Sequence, residues 1–333
     1  MLVKVLKNIK LAALIAAVFV HGPLFAEPMD SAHDLMARMA KASKELSYKG
    51  LFTYEFRGNL TSVKVVHLVR DGQTYERIVH MDGPERELVR RGDDMDCMRA
   101  SDMLLRGNVL KINDDSYSHL QDFYSFYIRG DARIAGRAVS VVNVIPKDKF
   151  RYGYIVAIDK ETGLMLQSIL INSQGKPMER FQFVDVSIGA DVDDVEFTSA
   201  LFSSEISASD DIDVDQSDCL KANQPVNVSS SQWVPKWLPP GFVLSSYQPV
   251  DAEGQESLMY TDGLAVFSVF IDYAEKSRLL PPVDANLGAT VAVLTKTSLN
   301  NQQYAICVVG EIPRSTASQI ANAISPLLAS PSP

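Results

Sequence analysis

The stretch YERIVHMDGPERELVRRGDD, residues 75–94, decides the fold. It sets His80 and Asp82 beside Glu85, Glu87 and Asp93, with Arg77, Arg86, Arg90 and Arg91 interleaved. Such a set reads either as the floor of an active site or as the charged face and tip of a β-hairpin. The pattern favours the hairpin. Tyr75, Ile78, Val79, Leu88 and Val89 alternate with the charges, as in strands that keep one face in water. Between the two runs lies MDGP, and Asp-Gly is a strong turn signal because glycine accepts positive φ without a Cβ clash. Pro84 restricts Gly83 and offers no N–H to a ladder. Cross-strand Arg–Glu pairs on a solvated face contribute roughly a few tenths of a kcal/mol, so charge alone does not mark a site here.

Working outward, the same device recurs. Asp71-Gly72 separates SVKVVHLVR (62–70) from QTYERIVH (73–80), and Val63, Val65, His67 and Val69 share one face. Upstream, YKGLFTYEF (48–56) places Tyr48, Phe52, Tyr54 and Phe56 on one face. Before it, DSAHDLMARMAKASKEL (30–46) has Leu35, Met39, Ala42 and Leu46 at helical spacing, and Ser31 with Asp34 resembles a capping box. Downstream, DDSYSHLQDFYSF (114–126) is expected to be helical, with Leu120, Phe123 and Tyr127 on one stripe. Strands follow at 127–134, 138–146, 151–159, 164–172 and 177–188, with DKETG (159–163) and NSQGK (172–176) as turns. The expected class is mainly β with helices (α+β), a long antiparallel meander that is too helix-poor for a parallel α/β sheet.

The chain divides by composition. Residues 1–26 have the plan of a secretory signal peptide: Lys4, Lys7 and Lys10, the apolar run LAALIAAVFV (11–20), then Ala26 before a polar chain. That predicts export, with cleavage near Ala26. A large domain is expected over 27–202 and a small α+β domain over 232–328. Between them, 203–231 carries Glu205, Asp210, Asp211, Asp213, Asp215 and Asp218 and reads as an acidic linker. A calcium loop is the sharper reading of that segment, but it lacks the glycine an EF-hand turn needs. The small domain restarts with WVPKWLPPGF (233–242), strands follow with Asp262-Gly263 as one turn, and a last helix begins near Ser315 with Ile320, Ile324 and Leu327 or Leu328 inward.

Charge and motif content narrow the function. The net charge of −9 becomes about −12 without the signal peptide, which repels phosphate backbones and argues against nucleic acid. Of five histidines, His21 leaves with the signal, and His33, His67, His80 and His119 each have a structural place on a helix or strand. No HExxH, GxSxG, P-loop or GxGxxG is present, so neither an enzyme nor a cofactor or metal site is expected. Cys97 and Cys219 lie near polar segments and are the candidate disulfide; Cys307, in YAICVVG, reads as a free buried thiol.

The phrases LMARMAKASKELSYKGLFTYEF, ERIVHMDGPERELVRRGD, YGYIVAIDKETGLMLQSIL, WVPKWLPPGF, LMYTDGLAVFSVFID and VVGEIPRSTASQIANAI run in the same order as in the RseB/MucB family of periplasmic sigma-E regulatory proteins. The chain resembles that family over roughly Asp34 to Ile324. The resemblance implies a non-enzymatic negative regulator in Gram-negative bacteria. It would bind the periplasmic part of a single-span anti-sigma factor and shield it from regulated proteolysis, with lipid or lipopolysaccharide as the releasing signal. It also implies a large domain like the LolA/LolB lipoprotein carriers, an unclosed β-barrel crossed by helices.

On chemical grounds the candidate groove residues are Phe52, Tyr54, Phe56, Tyr75, Tyr154, Phe181 and Phe183. The partner-side candidates are Trp233, Trp237, Tyr260 and Phe267. The WVPKWLPPGF segment is either a rigid packed entry or an aromatic platform, since Trp is enriched at binding hot spots. Two alternatives stand beside the regulator: a periplasmic lipid or lipoprotein carrier, which would need one domain only, and an enzyme, which activity screens would reveal; a homo-oligomer is left open as a further partner state.

Overall fold

A computed structural model of the chain describes residues 31–84, 87–91, 114–189, 231–251, 254–272, 284–299 and 302–327. From Ser31 onward the chain forms one compact unit. It opens with helix α1 (Ala32–Glu45). The capping box expected from Ser31 and Asp34 is present: the Asp34 N–H donates to Ser31 Oγ at 3.1 Å, and the Ser31 N–H donates to Asp34 Oδ2 at 3.1 Å. Leu35, Met36, Met39, Ala40 and Ala42 are buried. Each Leu or Met so enclosed stabilises the fold by about 1.5–3 kcal/mol.

Nine strands then build one antiparallel sheet. They are β1 (Tyr48–Phe56), β2 (Asn59–Arg70), β3 (Gln73–His80), β4 (Glu87–Arg91), β5 (Tyr124–Ile134), β6 (Arg137–Pro146), β7 (Gly153–Asp159), β8 (Met165–Ile171) and β9 (Pro177–Ile188). The sheet order is β4-β3-β2-β1-β9-β8-β7-β6-β5. Two meanders therefore meet where β1 pairs with β9, and the outer strands β4 and β5 do not pair with each other, so the barrel is unclosed. The core of this sheet gathers Tyr48, Phe52, Val63, Val65, Val142, Val144, Tyr154, Val156 and Phe181 with Met36 and Met39 of α1. Helix α2 (Asp114–Phe123) leads into β5 and packs beside α1.

The opening stretch is the β3–β4 hairpin, in register from Tyr75↔Arg91 to Val79↔Glu87. Gly83 takes φ +78, and Arg77 Nε donates to Glu87 Oε1 at 2.6 Å on the ladder's charged face. Asp82 is tied to the sheet, its carboxylate accepting the Ser62 N–H. The charges are hairpin chemistry.

A six-stranded sheet follows in the order β11-β12-β13-β16-β15-β14. Its members are β11 (Val243–Gln248), β12 (Gln255–Thr261), β13 (Val266–Asp272), β14 (Asp284–Leu287), β15 (Thr290–Leu299) and β16 (Gln302–Gly310). Helix α3 (Arg314–Ala323) covers it through Thr316, Ala317, Ile320 and Ala321. The short strands β10 (Trp233–Pro235) and β17 (Ile324–Pro326) pair with each other. Two expectations are corrected. The helical stripe through Tyr127 breaks because the chain turns to strand at Tyr124, which leaves Tyr127 exposed on β5. Leu327 is exposed, since Ile324 has already left helix α3 for β17.

Candidate functional site

The first feature is an apolar cleft between α1 and the sheet. It is lined by Met39, Ser43, Tyr48, Leu164, Met165, Phe181 and Phe183 and holds about 20 Å³. That is room for one water, where a drug-sized ligand needs a pocket of roughly 300–1,000 Å³. The aromatic side chains fill the space themselves: ring centres of Phe52 and Phe181 are 4.7 Å apart, and Phe181 meets Phe183 edge-on at 5.3 Å. Helix α1 is the cover. It is fixed where Arg38 donates to the Lys160 carbonyl at 2.8 Å, on the β7–β8 turn. That turn is itself held by Asp159, which receives Arg137 at 2.7 and 3.0 Å and the Thr162 N–H at 2.8 Å. Burial raises the Asp159 carboxyl, yet the Arg137 and Thr162 hydrogen bonds outweigh it and hold the group below the usual carboxylate range.

Of the groove candidates, Phe52, Tyr154, Phe181 and Phe183 are buried and face this core, and Tyr54 packs against it. Phe56 stacks on Tyr54 at 5.9 Å. Tyr75 is on the other face, against Val66 and Leu68, because it lies opposite Leu68 and strand residues alternate sides. His67 is buried and stacked on Tyr48 at 4.9 Å, and His33 meets Phe126 edge-on at 5.1 Å. Cys307 is free and half-buried, and burial pushes its thiol up. Cys97 and Cys219 lie outside the described residues.

The second feature is the seam where the six-stranded sheet sits on the nine-stranded one. Arg151, in the loop before β7, has no exposed side-chain surface, and neither does Asp262. The Arg151 guanidinium donates to Asp262 Oδ2 at 2.5 Å and to the Pro240 carbonyl at 2.5 Å, with Asp148 Oδ2 at 3.0 Å. Its plane lies near the rings of Phe123, Tyr124 and Phe242, 4.9–5.5 Å from their centres. The Tyr124 hydroxyl adds a bond to Asp262 Oδ2 at 2.9 Å. Asp262 Oδ1 meanwhile accepts the Leu264 and Ala265 N–H groups at 2.9 and 2.7 Å, closing the Asp262-Gly263 turn. Every oxygen of the carboxylate is therefore occupied, the condition under which a buried ion pair holds. Burial pulls the Arg151 guanidinium down, but the Asp262 charge leads the effects that hold it above its ordinary value. Burial, then the Asp262 charge, keeps the Tyr124 phenol neutral.

Trp237 reaches the same seam, its indole edge-on to Phe150 at 5.2 Å and half-buried. The other partner-side candidates are enclosed in the small-sheet core: Trp233 against Tyr304 at 5.0 Å, and Phe267 between Phe242 and Tyr260 at 5.1 and 5.2 Å. A further contact joins the sheets at Glu179 of β9, whose Oε1 accepts the Ala289 N–H at 2.6 Å. Sequence reasoning missed Arg151, Tyr124 and Glu179. The available signal was an arginine set between Phe150 and Tyr152 at the mouth of an apolar strand. Asp262 was legible only as a turn residue, alike in sequence to Asp71 and Asp82. Among the described residues no cluster of three or more His, Cys, Asp or Glu is placed to hold a metal, and no helix is long and apolar enough to cross a membrane.

The chain is similar to known proteins over most of its length. The Pseudomonas aeruginosa sigma factor AlgU regulatory protein MucB is 32% identical over 315 residues, covering 92% of this chain and 95% of that one. The Escherichia coli K12 sigma-E factor regulatory protein RseB is 29% identical over 309 residues, covering 87% and 89%. In the solved Pseudomonas aeruginosa MucA/MucB complex, a chain 30% identical superposes with a TM-score of 0.70, over 90% of this chain and 99% of that one. A solved MucB structure, 29% identical, gives 0.66 over 89% and 98%. Models of the MucB/RseB N-terminal domain and C-terminal domain match residues 31–201 and 227–325, one over each sheet, and the chain belongs to the MucB/RseB family.

Proposed function

We propose that this chain is a non-enzymatic, periplasmic negative regulator of an envelope-stress sigma factor. It binds the periplasmic region of a single-span anti-sigma factor and keeps that region from regulated proteolysis. The observation that carries the reading is the match, over both sheets, to a MucB chain solved together with MucA. We read the two sheets as two domains, a large one ending near 202 and a small one from 232. Trp237 is the partner-side candidate with surface to offer, because Trp233, Tyr260 and Phe267 are sealed in the small core.

Lipid or lipopolysaccharide sensing belongs to the same reading. The cleft under α1 is too small for an acyl chain as it stands, so entry of one requires α1 to lift from Phe181 and Phe183. The test combines the chain with the periplasmic segment of its host's anti-sigma factor and a site-directed protease. Stoichiometric binding that slows the first cut supports the regulator. Binding without protection, or lipid and lipoprotein retention with no anti-sigma factor bound, supports the carrier instead.

A further inference from the structure

The apolar face of the large sheet has two covers. Along β9, Glu179, Phe181 and Phe183 alternate onto that face and all three are buried. Phe181 and Phe183 line the cleft under α1. Glu179 lies under the small sheet instead: its Oε1 accepts the Ala289 N–H at 2.6 Å, and its Oε2 accepts the Tyr54 hydroxyl at 2.5 Å. Phe183 to Glu179 spans about 13 Å of strand at roughly 3.3 Å per residue, so the two covers are neighbours on one surface.

The second cover is made of turns. Leu264, which follows Asp262-Gly263, and Ala289 are both buried, and both pack in the core of the large sheet, not in their own. Two glycines let the backbone come this close. A Cβ on Gly288 would run into Glu179 Oε1, and one on Gly241 would run into the Phe123 ring. Tyr154, Leu170 and Glu179 stand in one row across β7, β8 and β9, and the buried Tyr154 hydroxyl has no hydrogen-bond partner among the described residues.

We propose that the Leu264 and Ala289 turns are an autoinhibitory stopper on a long-chain acyl site. The stopper rests on lipid uptake by the large sheet and adds how that uptake is regulated. The cleft under α1 holds about 20 Å³, where a ligand of this class needs roughly 300–1,000 Å³. Lifting α1 uncovers Phe181 and Phe183, and a chain laid there runs on along β9 to Glu179, where it displaces Ala289 and Leu264. Withdrawal of the turns also lets water reach the Tyr154 hydroxyl, which the closed form leaves unmet. Acyl occupancy and a seated small sheet therefore exclude each other, and a ligand held by one sheet is felt by the other. Apparent acyl affinity is lowered by the rarity of the open form, so loosening the stopper tightens binding.

The test uses the whole chain and a fluorescent long-chain fatty acid below its micellar concentration. At saturation, protection of the Ala289 amide from hydrogen exchange should fall at least about tenfold, while the Val308 amide in β16 keeps its protection. Gly288→Ala, which drives the turn off Glu179, should bind the probe about tenfold more tightly. Ile306→Val, which loosens the small core away from the seam, should bind as the wild type does. If Gly288→Ala does not fold, Leu264→Ala, which trims the stopper itself, takes its place. Probe binding with unchanged Ala289 protection overturns the stopper and leaves lipid uptake standing. So does a Gly288→Ala affinity equal to that of the wild type, or an equal gain in Ile306→Val. Probe binding by none of the chains overturns lipid uptake and the stopper with it.

Discussion

Arg151 carries a full charge into a place where its side chain has no exposed surface, and it does so because every donor that matters is met. Removing one partner of such a pair strands the other. Arg151→Met is expected to cost about 3–5 kcal/mol, measured by urea unfolding, because Asp262 is left as a buried carboxylate. Asp262→Asn should cost a similar amount, and the double variant less than the sum of the two, since neither charge is then stranded. A double-mutant cycle that proved additive would mean the two residues do not act as a pair. Tyr124→Phe removes one bond to the same carboxylate and should cost about 1–2 kcal/mol.

Helix α1 and the β3–β4 hairpin are the elements whose local chemistry can be tested apart from the rest. Ser31→Ala removes half of the α1 capping box and should lower stability by about 1 kcal/mol, read as a shift in the thermal midpoint. Gly83→Val forces a β-branched residue to φ +78 and should cost roughly 2 kcal/mol or more, with partner binding unchanged wherever the variant is folded. A Gly83→Val chain with an unaltered midpoint but no partner binding would make the turn a contact. Arg38→Ala frees α1 from the β7–β8 turn, and uptake of a fluorescent fatty-acid probe should quicken if α1 covers a lipid site.

At the scale of the molecule, two sheets with separate cores are joined by a seam that contains both an ion pair and apolar contacts: Leu264 and Ala289 of the small sheet pack into the large-sheet core. Seam strength sets whether the halves unfold together. Calorimetry of the wild-type chain should give one transition, and Arg151→Met should split it into two, because the stranded charge weakens the joint more than either core. Trp237→Ala removes the aromatic contact to Phe150 at the rim and should weaken anti-sigma factor binding at least tenfold with little loss of stability. Equal binding by that variant would place the partner elsewhere.

Sequence alone determined the elements. The alternation around Asp71-Gly72 and Asp82-Gly83 specified two hairpins, the Ser31–Asp34 box specified where α1 begins, and the antiparallel meander and small α+β region were legible from period and turn chemistry. These signals are local, set by residues within a few positions of each other. Tertiary structure decided where the elements meet. Tyr75 turned to the outer face through its register with Leu68, and Tyr127 and Leu327 became exposed because helices ended earlier than their apolar spacing suggested. Arg151 and Asp262 stand 111 residues apart, as remote in sequence as Glu179 and the Ala289 turn. No local pattern encodes a pair at that separation; its energy exists only once both sheets have excluded water from the seam.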